Sequence, residues 1–157
     1  ANSNWAAPGR YTVKLTVDGK SYSQPLTVKM DPRVKTPTAG LQQQFTLSKQ
    51  LYDDALKVAK ALDQIRAGQG RLGPLEAQVR AIEGAANGGG RGAGRGAAPA
   101  GPETLNSALG SLSSLIQMLQ AADVTPPTQM VAAVAGRHAA VARLIQQWNS
   151  LSAQMKP

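Results

Sequence analysis

His138 is the single histidine of the chain and its one side chain that ordinarily titrates near neutral pH. A histidine can serve as general base, proton shuttle or metal ligand, and each role needs another group held beside it. No such group is signalled near His138, which falls in an apolar stripe. It reads as a packed or hydrogen-bonded histidine at a helix interface. The carboxylates offer a second route to chemistry: Asp18, Asp31, Asp53, Asp54, Asp63, Glu76, Glu83, Glu103 and Asp123. Glycoside cleavage needs a pair of them across one cleft. Asp18 reads instead as a turn residue, Glu103 as a helix-start residue, and most of the others as solvated helix faces. Asp53 and Asp54 are adjacent, so on a helix their side chains diverge by about 100°. No catalytic, cofactor-binding or metal residue is assigned, and the chain alone is not expected to be an enzyme.

Gly92-Ala93-Gly94-Arg95-Gly96-Ala97 matches a loose dinucleotide fingerprint. It follows a helical pattern rather than a strand, so the context that cradles a phosphate is missing. Arg91-Gly92 and Arg95-Gly96 are too few for an RNA-binding tract. The segment reads as a flexible linker over 87–102. Trp148 lies on a helical core stripe, and Trp5 is expected near the base of a hairpin. With no cysteine, disulfides and thiolate metal sites are excluded. The net charge of +8 favours acidic partners. The basic residues are scattered singly, however, and no nucleic-acid role is expected. No apolar run is long enough to span a membrane. The first residues have neither the charged nor the apolar region of a signal peptide. The start at Ala1 reads as a processed or cut end.

The elements follow from periodicity. Tyr11, Val13, Leu15 and Val17 alternate with polar residues, a period of two. Asp18-Gly19 then signals a two-residue hairpin turn. The second run places Tyr22, Leu26, Val28 and Met30 on one side. Pro25 interrupts it and predicts an edge position or a bulge. A lone hairpin is marginal in water. It must rest on helices, join strands from elsewhere, or pair with another molecule. The seven residues Tyr11, Val13, Leu15, Val17, Tyr22, Leu26 and Val28 are therefore the candidate strand-pairing interface. Asp31 to Pro37 reads as a stiff connector closing a region of residues 1–37.

From residue 38 to 157 the period becomes helical. Helices are predicted over 38–67, 74–86, 103–122 and 128–153. Thr38 is the expected N-cap of the first and Gly68-Gln69-Gly70 its C-terminal end, with an Asp53–Lys57 pair on its exposed side. Phe45, Tyr52, Ala55, Ala59 and Leu62 form its seam, widened by Leu41, Leu47, Leu51, Val58 and Ile65. Only six residues are aromatic, so Ala, Leu, Val and Ile must build the core. The fold class expected is mainly α: an antiparallel four-helix bundle, up-down in order, preceded by a β-hairpin.

The stretch Ala7-Pro8-Gly9-Arg10-Tyr11-Thr12-Val13-Lys14-Leu15-Thr16-Val17-Asp18-Gly19-Lys20, with Gln24-Pro25-Leu26-Thr27-Val28-Lys29-Met30-Asp31-Pro32-Arg33, resembles the end of an Ig-like region. That region occurs in large bacterial secreted proteins with sortilin-like, BNR-type β-propellers, labelled glycosyl hydrolases. Leu41 to Phe45, Tyr52 to Ala55, Ala121 to Pro126 and Gln146 to Asn149 are similar to their C-terminal tails. The resemblance implies that the hairpin is a remnant of an Ig-like sandwich and that the chain is exported, to the periplasm or outside the cell. The chain is expected to be a non-catalytic interaction module whose partners are the rest of its parent chain or, by strand addition from a hairpin lacking its sheet, identical subunits. Any glycan site would belong to the propeller, so no catalytic residue carries over and no cofactor is implied. The alternative is a part of the hydrolase that contributes to glycan binding.

Overall fold

The structure, a computed structural model, describes residues 3–85 and 102–155. It contains strands β1 (Gly9–Val17) and β2 (Lys20–Val28), then helices α1 (Thr38–Gly68), α2 (Glu76–Glu83), α3 (Leu105–Leu119) and α4 (Thr128–Ser152). The chain is thus mainly helical, with four helices and one two-stranded antiparallel hairpin. The Gly-rich stretch predicted as a linker lies, but for Pro102, outside the described residues.

The hairpin turn is the one its dipeptide demands. Asp18 and Gly19 have φ of 48° and 77°, the mirror-image geometry that matches strand twist. Pairing runs unbroken from Val17↔Lys20 to Gly9↔Val28, so Pro25 sits opposite Thr12 without a bulge. Its edge position, the other expectation, is met because β2 has a partner on one side only.

α1 begins differently from expectation. Pro37, extended at φ −57° and ψ 144°, occupies the cap position, and no side chain caps the helix. The amides of Gly40 and Leu41 donate to the Pro37 carbonyl instead. The far end falls at Gly68, where a glycine stop is expected, but without the left-handed geometry of a glycine cap. Gly68 stays right-handed, and the chain runs on through 3-10 turns at Gln69–Arg71 and Gly73–Leu75. These turns take up residues expected to begin α2, which is only eight residues long. α3 starts with a capping box: the Thr104 amide donates to Ser107 Oγ at 2.9 Å, and the Ser107 amide donates back to Thr104 Oγ1. Two orphan amides of the helix start are thereby satisfied.

One apolar core joins the four helices. α1 contributes Leu51, Val58, Ala61, Leu62 and Ile65, and α3 contributes Leu105, Ala108, Leu112, Ile116 and Leu119. The buried axis of α1 therefore runs through Leu51, Val58 and Ile65. The predicted seam of Tyr52 and Ala55 flanks it, half-buried. α4 supplies Val134, Val141, Leu144 and Trp148. Burying one Leu side chain contributes about 1.5–3 kcal/mol, so the core carries most of the stability.

Helix directions correct the up-down expectation. Asp54 meets His138 and Gln64 meets Trp148, so α1 and α4 advance together and run parallel. Gln44, near the start of α1, donates to the carbonyls of Leu119 and Ala122 at the end of α3. α3 therefore runs against α1. The physical reason is the length of α2: at about 1.5 Å per residue, eight residues cannot form a full return leg. At the crossing of the first turn of α1 with the α3–α4 turn, Gly40 is buried against Thr125, where any Cβ would collide.

Candidate functional site

The seven predicted interface residues share one face of the hairpin. The register sets Tyr11 beside Leu26, Leu15 beside Tyr22, and Val28 beside Gly9, while Val13 faces Gln24 and Val17 faces Lys20. Successive strand residues point to opposite sides, so Arg10, Thr12, Lys14 and Thr16 share the other face with Ser21, Ser23, Pro25 and Thr27. This second face is polar apart from Pro25. On it, the hydroxyls of Thr16 and Ser21 hydrogen-bond at 3.0 Å.

Among the described residues, no helix covers the apolar face. Val13 is 51% exposed, Leu15 60% and Tyr22 58%. Each strand packs chiefly against its partner strand, and the helices meet the chain at the hairpin's foot. There Trp5 joins Met30, Leu41 and Phe45 around a hollow of about 60 Å³, and the Gln120 side chain donates to the Ser3 carbonyl. Trp5 does sit at the hairpin base, with 59% of its surface still exposed. The Tyr11 hydroxyl donates to the Ala7 carbonyl at 2.6 Å, which ties β1 to the segment before it.

A second arrangement lies between α1 and α4. Asp54, read from the sequence as solvated, is 1% exposed. Its Oδ1 accepts from Lys57 Nζ at 2.8 Å, and its Oδ2 lies 2.5 Å from His138 Nδ1. A buried carboxylate needs such partners, because an unpaired charge in the interior is very costly. A carboxylate oxygen accepts, so His138 donates through Nδ1. The expected Asp53–Lys57 pair does not form: Lys57 turns inward to Asp54, and Asp53 pairs with Lys49 at 2.6 Å.

A histidine oriented by a buried carboxylate is also how many proteins hold a base or a metal ligand. Here the adjoining groove of about 300 Å³ is lined by Val141, Ala142, Ile145, Gln146 and Asn149, besides Asp54, Lys57 and His138. No hydroxyl or thiol lines it, and no group of three metal-ligating side chains occurs among the described residues. What the geometry supplies is a polar clip joining two parallel helices.

The signal for Asp54 was present in phase rather than in type. Leu47, Leu51, Asp54, Val58, Ala61 and Ile65 repeat at spacings of four and three, so Asp54 occupies a seam position. His138 interrupts the α4 stripe in the same way, and the two interruptions meet. Trp148 is 2% exposed and its Nε1 donates to Gln64 Oε1 at 2.8 Å, so it is a core residue. Glu103 lies just before α3 and pairs with Arg137 of α4.

Among the described residues, no helix is long and apolar enough to cross a membrane. The chain matches no family model, and no significant likeness links it to a curated protein or to a solved structure.

Proposed function

We propose that this chain is a non-catalytic interaction module, and that the apolar face of its hairpin is the contact surface. One observation carries the reading. Seven apolar side chains lie on one face, and six of them, Tyr11, Val13, Leu15, Val17, Tyr22 and Leu26, remain open to water, with Val28 half-buried at the foot, although the same chain builds a well-buried helical core. An exposed apolar patch of this kind marks an interaction site. A two-stranded ribbon also leaves both edges free for added strands.

In this reading the hairpin is the end of an Ig-like sheet, the helices form a bundle that caps it, and the remaining strands come from the parent chain or from an identical subunit. The resemblance to the C-terminal region of exported propeller proteins supports that source and an extracellular or periplasmic setting. The glycan-binding alternative loses Trp148, which is spent in the core, and would rest on Trp5 alone, at the hairpin foot.

Light scattering over a concentration series tests the proposal. Growth in mass with concentration, lost on deleting residues 1–30, supports assembly through the hairpin. For a parent-sheet contact, the expected result is a chain that stays monomeric alone and binds an added strand through the same residues. A monomer that binds no strand of any sequence refutes the reading.

A further inference from the structure

The two edges of the hairpin are not equivalent. A two-residue turn makes Val17 and Lys20 the first hydrogen-bonded pair, and antiparallel pairing then alternates. Tyr11, Val13, Leu15 and Val17 therefore turn their amides and carbonyls toward β2. Arg10, Thr12, Lys14 and Thr16 turn theirs outward, as an uninterrupted row. No other backbone segment of the described residues pairs with that row. On β2 the outward positions are Ser21, Ser23, Pro25 and Thr27. Pro25 has no amide hydrogen, so the middle of that edge cannot accept a complete ladder.

Charge separates the possible occupants of the β1 edge. Residues 1–30 carry Arg10, Lys14, Lys20 and Lys29 against one carboxylate, Asp18. Arg10 and Lys14 project from β1 on the polar face, so a strand laid beside β1 has its own polar-face side chains next to them. A second copy would bring the same cations to this edge, and like charges on neighbouring strands are destabilising. Lysines on an edge are also a common guard against self-pairing.

We propose that the β1 edge takes an acidic partner: an extended segment in which acidic and apolar residues alternate. Its acidic residues lie beside Arg10 and Lys14. Its apolar residues continue the face of Tyr11, Val13, Leu15 and Val17. Its backbone completes the row of outward amides and carbonyls. This inference rests on the hairpin being a contact surface, and it specifies both the edge and the chemistry of what binds there.

The test is fluorescence anisotropy of the full chain with short labelled peptides. One alternates Glu and Val, one alternates Lys and Val, and one carries the Glu/Val composition in blocks. The alternating Glu/Val peptide is expected to bind about tenfold more tightly than either of the others, as two favourable cross-strand charge pairs would give. Thr12→Pro, which removes an outward amide of β1, is expected to weaken it about tenfold. Ser23→Pro, on the blunted edge, is expected to leave it unchanged. Because a proline could disturb the hairpin, the double variant R10E/K14E, whose backbone is untouched, gives the independent measurement. It is expected to lose the Glu/Val peptide and gain the Lys/Val one.

Equal binding of the Glu/Val and Lys/Val peptides overturns the acidic partner while leaving the contact surface intact. So does hairpin-dependent self-association without peptide binding. Equal effects of Thr12→Pro and Ser23→Pro overturn the choice of edge. Equal binding of the block peptide reduces the effect to charge alone and overturns strand addition.

Discussion

Val58 and Val13 are the same residue with opposite surroundings: Val58 is 0% exposed on α1, and Val13 is 51% exposed on β1. Leu51 and Leu15 make the same contrast. Each pair sits in a regular element with sound apolar periodicity, and local structure is well formed in both. What separates them is the number of neighbouring elements. α1 is packed by three other helices, whereas β1 is packed chiefly by β2. The amphipathic pattern of the hairpin is thus complete in itself and lacks a second layer. A helix stripe and a sheet face both require a covering layer to bury them.

The contrast predicts unequal responses to equal substitutions. Leu51→Ala opens a cavity in the core and is expected to cost about 2–5 kcal/mol in urea unfolding. The matching Leu15→Ala change is expected to stay within about 0.5 kcal/mol, as at other exposed sites. A large loss for Leu15→Ala would mean that the isolated chain already covers its hairpin, and the comparison would collapse.

His138→Ala comes next in size. It leaves the buried Oδ2 of Asp54 without its partner, and about 1–3 kcal/mol of global stability should be lost. Since Asp54 keeps Lys57, the loss should fall short of that for removing a buried ion pair's only partner. Urea unfolding at neutral pH measures it.

Gly19→Ala tests the independence of the two regions. An alanine at φ 77° costs roughly 1–2 kcal/mol. That cost is expected to appear in the amide exchange of β1 and β2, with the helical melting curve unchanged. A coupled fall in both would show that hairpin and helices unfold as one unit.

The smallest effect concerns the connector. The Arg33 guanidinium and backbone amide both donate to the Asp31 carboxylate, at 2.6 and 2.9 Å, and hold its pKa below the ordinary carboxylate range. The carboxylate is partly open to solvent, so its influence is local. A lowered pKa means that the pair contributes above the ordinary carboxylate range and is lost as pH falls through the depressed value. An acid titration should shift the Arg33 amide resonance in that window while leaving the core methyl resonances in place, and Asp31→Asn should abolish the shift.

Much of the fold could be read from residue order. The Asp18-Gly19 turn, the strand alternation and the four helical segments are local, and local periodicity reports them directly. The missed details are those set by what lies across the chain. Thr38 is a good capping residue by type, yet Pro37 already turns the backbone and its carbonyl receives the first amides. Asp54 looks like a surface carboxylate until its phase is compared with Leu51 and Val58. Even then its partner lies 84 positions away, at His138. Gly68 does end α1, as its type suggests, but it stays right-handed and 3-10 turns follow it.

From the order of residues alone come the elements, the absence of thiol chemistry, the excess of positive charge and the grouping of seven strand residues on one face. These depend on steps of two or three to four residues and on composition, and neither requires knowledge of contacts. Packing in three dimensions settled the rest: that α1 and α4 run parallel, that Asp54 is interior, and that the hairpin's face stays open. Each of these turns on which elements touch. The free energy of burial belongs to pairs of surfaces rather than to single segments.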